Sequence, residues 1–398
     1  MSSTGLARAA IAAIALGLAW VAASAMAQPD DGALVLPAKL DAEGASQMLI
    51  PIRVKGHTFW CNADSGGSRV LSLDLTKALN AGLQPNAIGA NAGVGPEVRR
   101  DQRVRGVDVE VGSLVLPDAT IVLVPRPPVV PDIDCVLGLG LFPEYAIEFD
   151  YLTPSVRLIP STRFRPAAAA VPILITIDRI ATPSTKVRLR MGDAESIAAT
   201  LMVDTGASYY DVVLLKPFID ANRVTDRIGA VVPRVSDTVG MTIAAARATG
   251  VTVGPFEVDG PVTALISTPS GGTFSADGLL GTGFLRRFKV TFDYSRQQLW
   301  LEPNGRTRGP QLFDASGIEV RPTDAHEFAI AGVGPDSPAA EAQLRTGDLL
   351  KDIDGRRAQD LTLGEIQDAF NRVGETCTVH VERNGRVEIA TLRLRKRL

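Results

Sequence analysis

Asn62-Ala63-Asp64-Ser65-Gly66-Gly67-Ser68 can be read with either of two residues as the reactive group: Ser65 as a nucleophile, or Asp64 as one carboxylate of a pair. A second copy decides between them. Asp134-Cys-Val-Leu-Gly-Leu-Gly-Leu-Phe142, followed by Ile147-Glu-Phe-Asp-Tyr151, returns as Asp277-Gly-Leu-Leu-Gly-Thr-Gly-Phe-Leu285, followed by Val290-Thr-Phe-Asp-Tyr294. Gly138 and Gly281, Phe149 and Phe292, Asp150 and Asp293, Tyr151 and Tyr294, and Pro160 and Pro303 are each 143 residues apart. A register held that long marks an internal duplication. The counterpart of Asp64-Ser65-Gly66 lies 140 residues on, at Asp204-Thr205-Gly206. The repeat keeps the carboxylate and the glycine and exchanges the serine for a threonine.

The serine reading has its own resemblance, since Asp-Ser-Gly-Gly is similar to the nucleophile segment of trypsin-like serine proteases. A nucleophilic serine there needs a histidine base and an orienting group well upstream, and the only histidine before Asp64 is His57, seven residues away. The serine reading is set aside. Two Asp-Ser/Thr-Gly triplets, each followed about 75 residues later by an apolar pair and glycine (Val136-Leu137-Gly138 and Leu279-Leu280-Gly281), resemble a bilobed aspartic peptidase of the pepsin and retropepsin superfamily. The resemblance runs from about Leu34 to Pro303 and implies mainly β lobes, barrel-like with a psi-loop, one at 28–162 and its repeat at 163–306.

What the resemblance implies chemically is a water activated by two carboxylates. Two such groups about 3 Å apart share one proton, so that one acts as base while the other acts as acid. Asp64 and Asp204 are the candidate catalytic residues, and which is acid and which is base stays open. Ser65 and Thr205 are expected to hydrogen-bond across the lobe interface. Gly66 and Gly206 let the backbone turn beside each carboxylate. Gly138 and Gly281 let a strand pass beneath each loop. Hairpin flaps are expected at Gly89–Gly95 and Val235–Gly240, both of which also read as ordinary turns. Asn62 departs from the repeat, standing as a polar residue where lobe two has Met202, in a place expected to pack on the core; Gly67 stands for Ala207.

Composition and charge frame this reading. Arg8, the apolar run from Ala9 to Ala23 and Ala25-Met26-Ala27 read as a cleavable signal peptide over 1–27, which implies a periplasmic or secreted protein. No later run reaches the roughly 20 apolar residues of a membrane span. Without the leader the formal net charge moves from −3 to −4, which supplies no reason to expect a nucleic-acid or membrane partner. The three histidines and three cysteines follow no metal-ligand spacing, so neither a metal nor a cofactor is expected. Cys61 and Cys135 precede Asp64 and Gly138 by three residues on strands that the resemblance pairs. A disulfide and two buried thiols both fit them, while Cys377 is expected unpaired and buried in a strand.

After Pro303 the repeat stops, and a linker is expected over 307–316. Asp336-Ser-Pro-Ala-Ala-Glu-Ala-Gln-Leu-Arg-Thr-Gly-Asp348 through Gly355 resembles the helix, turn and strand of a bacterial PDZ domain, an α+β module expected over 317–398. Helices are expected at 339–344 and 362–373, the second opened by Thr362 and Glu365 at capping-box spacing. The resemblance implies a C-terminal peptide ligand added to a sheet edge, with Glu327-Phe328-Ala329-Ile330 as the carboxylate loop. The chain therefore reads as an exported aspartic endopeptidase acting on polypeptides and positioned by its PDZ domain. The alternative is a catalytically inactive protease fold that binds peptides or proteins through that domain.

Overall fold

The computed structural model describes residues 31–41, 47–92, 98–125, 133–192, 195–234, 241–270, 274–305, 311–323 and 327–398. The segment expected as a signal peptide, the tip of the first expected flap and the whole of the second lie outside them. The described chain is mainly β. Short Val-, Ile- and Leu-rich runs that alternate between core and outer faces build the sheets.

Each lobe is organised around the same three central strands. In lobe one, His57–Asp64 runs parallel to Cys135–Gly138, which runs antiparallel to Leu71–Asp74. In lobe two, Ile197–Val203 runs parallel to Gly278–Leu280, which runs antiparallel to Val212–Leu215. A third, six-stranded sheet joins the lobes. At its centre the two repeated segments pair with each other, Ile147 opposite Phe292 and Phe149 opposite Val290. Phe149 and Phe292 meet edge to face, with ring centroids 5.9 Å apart. One continuous apolar core spans both lobes, so the two halves of the duplication are fixed relative to each other by burial as well as by backbone pairing.

Cys61 and Cys135 lie directly opposite each other and form a disulfide, which resolves the alternative left open above. It ties two strands 74 residues apart in sequence, three residues from Asp64 and Gly138. Reduction is expected to lower stability by about 2–4 kcal/mol. Chemical denaturation with and without reductant measures this, with Cys61→Ala/Cys135→Ala as the covalent control. Cys377 is buried and unpaired.

The C-terminal domain has its own core, from Ala315 to Leu394. The capping box forms as expected: the Thr362 hydroxyl accepts from Glu365 N–H at 3.2 Å while the Glu365 carboxylate accepts from Thr362 N–H at 2.8 Å. The described part of the segment expected as linker is not a solvated tether. Gln311 and Phe313 to Ser316 are buried. Phe313 packs with Val232, Ala245 and Val262 of lobe two, and Arg234 of lobe two reaches Glu319 at 2.9 Å. Among the described residues no helix is long and apolar enough to cross a membrane.

Candidate functional site

Asp64 ends the strand His57–Asp64, and Asp204 follows Ile197–Val203 directly. The loops they open face each other across the lobe boundary and are locked by a reciprocal set of hydrogen bonds. Ser65 N–H donates to Thr205 Oγ1 at 2.9 Å, and Thr205 N–H donates to Ser65 Oγ at 3.0 Å. Each hydroxyl then donates to the opposite strand, Ser65 Oγ to the Val203 carbonyl and Thr205 Oγ1 to the Ala63 carbonyl, both at 2.7 Å. Ser65 and Thr205 are completely buried, so these bonds meet no competition from water.

The glycines fix the spacing of the carboxylates. A Cβ on Gly66 would lie 2.6 Å from Cγ of Asp204, and one on Gly206 would lie 2.7 Å from Cγ of Asp64. Each glycine thus lies against the carboxylate of the opposite lobe. Beneath them, a Cβ on Gly138 would come within 2.5 Å of the Gly67 and Ser68 carbonyls, and one on Gly281 within 2.5 Å of the Tyr210 carbonyl. Only a strand without a side chain passes that close to the loop.

Burial raises both carboxyls above the usual range, Asp64 the further of the two because Asp204's negative charge and a hydrogen bond between the carboxyls add to it. For Asp204 that shared hydrogen bond acts the other way, as do donations from Gly206 N–H at 2.8 Å and Ala207 N–H at 3.2 Å. Two carboxyls in this arrangement titrate as a unit, and the titration belongs to the pair. Among the described residues no His, Cys, Asp and Glu cluster could hold a metal.

Three further residues surround this site, and the sequence reading assigned them no role there. Gln47 Nε2 of lobe one donates to the Gly206 carbonyl at 2.7 Å, a contact with no local sequence signal. Tyr151 and Tyr294, noted only as repeat matches, are buried with hydroxyls that find no partner among the described residues. Burial raises both hydroxyls, helped by the charge of the opposite lobe's aspartate, Asp204 for Tyr151 and Asp64 for Tyr294. Deeper in lobe two, Arg287 pairs with fully buried Asp211 at 3.3 Å, and Asp211 also accepts from Val262 N–H at 2.8 Å. Asp211→Ala is expected to cost about 3–5 kcal/mol by breaking this buried ion pair, read as a shift of the denaturation midpoint.

Two expectations are corrected. Asn62 does not pack on the core: alternation along its strand puts Cys61 and Ala63 in the core and turns Asn62 to the same side as Asp64. Phe328, Ala329 and Ile330 do not form a carboxylate loop. They lie in the strand Phe328–Val333, which has Ile318–Pro322 on one side and Leu349–Ile353 on the other. Both edges are taken, so no peptide strand can add there. Among the described residues the sheet ends on Ile318–Pro322, next to the helix Leu363–Phe370, and at its other side on Arg386–Arg393.

A PDZ domain family model matches residues 316–394. No curated protein matches the chain. The C-terminal module is thus a PDZ domain, which supports a role in binding or positioning peptides.

Proposed function

We propose that the protein is an exported aspartic endopeptidase in which Asp64 and Asp204 activate water against a peptide carbonyl. The observation that carries this reading is the reciprocal packing of two buried carboxylates against each other's loop glycine. The protonated carboxyl polarises the carbonyl oxygen while the ionised one takes a proton from water, and the amine leaves with the proton returned by the pair. No covalent intermediate is needed. The PDZ domain, packed on lobe two, positions polypeptide for the cleft.

The test is cleavage of an unfolded protein between about pH 3 and 8, the range in which such a pair titrates, by the mature chain, Asp64→Asn and Asp204→Asn. Loss of cleavage in either variant and block by a statine-type inhibitor support the dyad. A folded wild-type chain that cleaves nothing, with or without its PDZ domain, sinks it. Gly206→Ala is expected to lower kcat about 100-fold with little change in KM, because its methyl displaces Asp64 from attack geometry.

A further inference from the structure

The PDZ sheet edge beside the helix Leu363–Phe370 is entered through Ser316, Gly317 and Ile318. A peptide added antiparallel along Ile318–Pro322 would bring its C-terminus to these three backbone N–H groups. They are already occupied. Ser316 N–H donates to Asp314 Oδ1 at 2.9 Å, Gly317 N–H to both Asp314 oxygens at 3.1 and 2.9 Å, and Ile318 N–H to Ser316 Oγ at 2.9 Å. Asp314 is buried and held from behind by Arg397 at 2.7 Å. A carboxylate is therefore seated where a ligand's terminal carboxylate would go, and a second one would meet like charge without a free donor. We infer that this PDZ edge takes internal extended segments of polypeptide rather than free C-termini, with Asp314 as the resident anion. A partner of that kind needs only backbone pairing along the strand and apolar contact beside the helix.

The full chain can be panned against random 12-residue segments displayed either at a free C-terminus or inside a carrier loop. The expected result is enrichment of the internal format alone, with Asp314→Ala gaining carboxylate-dependent binders that amidation abolishes. Asp314→Asn, which keeps an acceptor for the Ser316 and Gly317 amides, controls for folding and is expected to stay blind to C-termini. Enrichment of free C-termini by the wild type, enrichment of neither format, or no gain in Asp314→Ala each overturns the inference.

A separate observation concerns substrate choice and rests on the peptidase reading. Across lobe two, the residues in register with Met202 and its neighbours on the Asp204 side form one apolar face: Met202, Leu279, Val213 and Ala264, with Leu215 and Ile266 in the next row. The same registers in lobe one give Asn62, Val136, Ser72, Val122 and Arg103, with Asp74 in the next row. Asn62 is 3% exposed, and its Oδ1 finds no partner among the described residues. A buried acceptor left open selects for a donor. We propose that the residues flanking the scissile bond are unlike, an apolar one facing lobe two and one bearing a hydrogen-bond donor facing lobe one.

Sequencing the products of a proteome-derived peptide library reads this directly. The expected pattern is an apolar residue on one side and Ser, Thr, Asn, Gln or a basic residue on the other. Asn62→Leu should shift the polar side alone toward apolar residues, by about tenfold or more in kcat/KM. Cleavage between two apolar residues, or no shift in Asn62→Leu, overturns this proposal and leaves the peptidase reading standing. Absence of any cleavage removes both.

Discussion

Asp64→Asn is expected to abolish hydrolysis and, at neutral pH, to make the protein more stable. The two effects share one cause. Burial and the charge of Asp204 raise the Asp64 carboxyl above its unfolded value, so between those two values the unfolded chain binds fewer protons than the folded one. Stability contributed by the protonated carboxyl is whole below the unfolded pKa, near 4, and is lost as pH rises through the folded one. Each unit of elevation is worth about 1.4 kcal/mol. Asparagine cannot ionise and can still donate to Asp204. The gain in melting temperature over wild type should therefore be large at pH 7 and vanish toward pH 3.5, while turnover falls by about 100-fold or more. A melting-temperature difference that is the same at both pH values would show that Asp64 is not held protonated.

The parts of the site legible in the sequence were those that leave a local mark. A loop that tolerates only glycine beside a carboxylate, and a strand that tolerates only glycine beneath it, wrote the same letters twice at nearly constant spacing. The grip between Ser65 and Thr205 followed from the hydroxyl kept in both copies. Features set by long-range pairing left no such mark. Ile318–Pro322 and Phe328–Val333 are both short apolar-bearing runs, and only the docking of Leu349–Ile353 against the second makes the first the edge. The phase of the strand carrying Asn62 depends on which of its faces meets the core. Gln47 acts 159 residues away from its partner. Burial of Phe313 depends on lobe two supplying the cluster that receives it, so a polar, glycine-bearing stretch before it read as a tether.

Thr205→Val is expected to damage stability and turnover together, and Thr205→Ser to restore both. Valine matches threonine in shape but removes a hydroxyl that accepts from Ser65 N–H and donates to the Ala63 carbonyl. Both backbone groups would be left buried without partners, each at a cost of about 1–3 kcal/mol. The loss falls on the bonds that hold one loop to the other, so the carboxylates lose their mutual register as the fold loosens. Unfolding in denaturant should show a lower midpoint with unchanged slope, and kcat should fall more than KM rises, since positioning rather than binding is impaired. Serine returns the hydroxyl without the methyl and rebuilds the bonds that Ser65 already makes from the other side. If Thr205→Val were as stable as wild type, the reciprocal hydrogen bonds would contribute nothing net, and the lobes would be joined by the shared core and the central sheet alone.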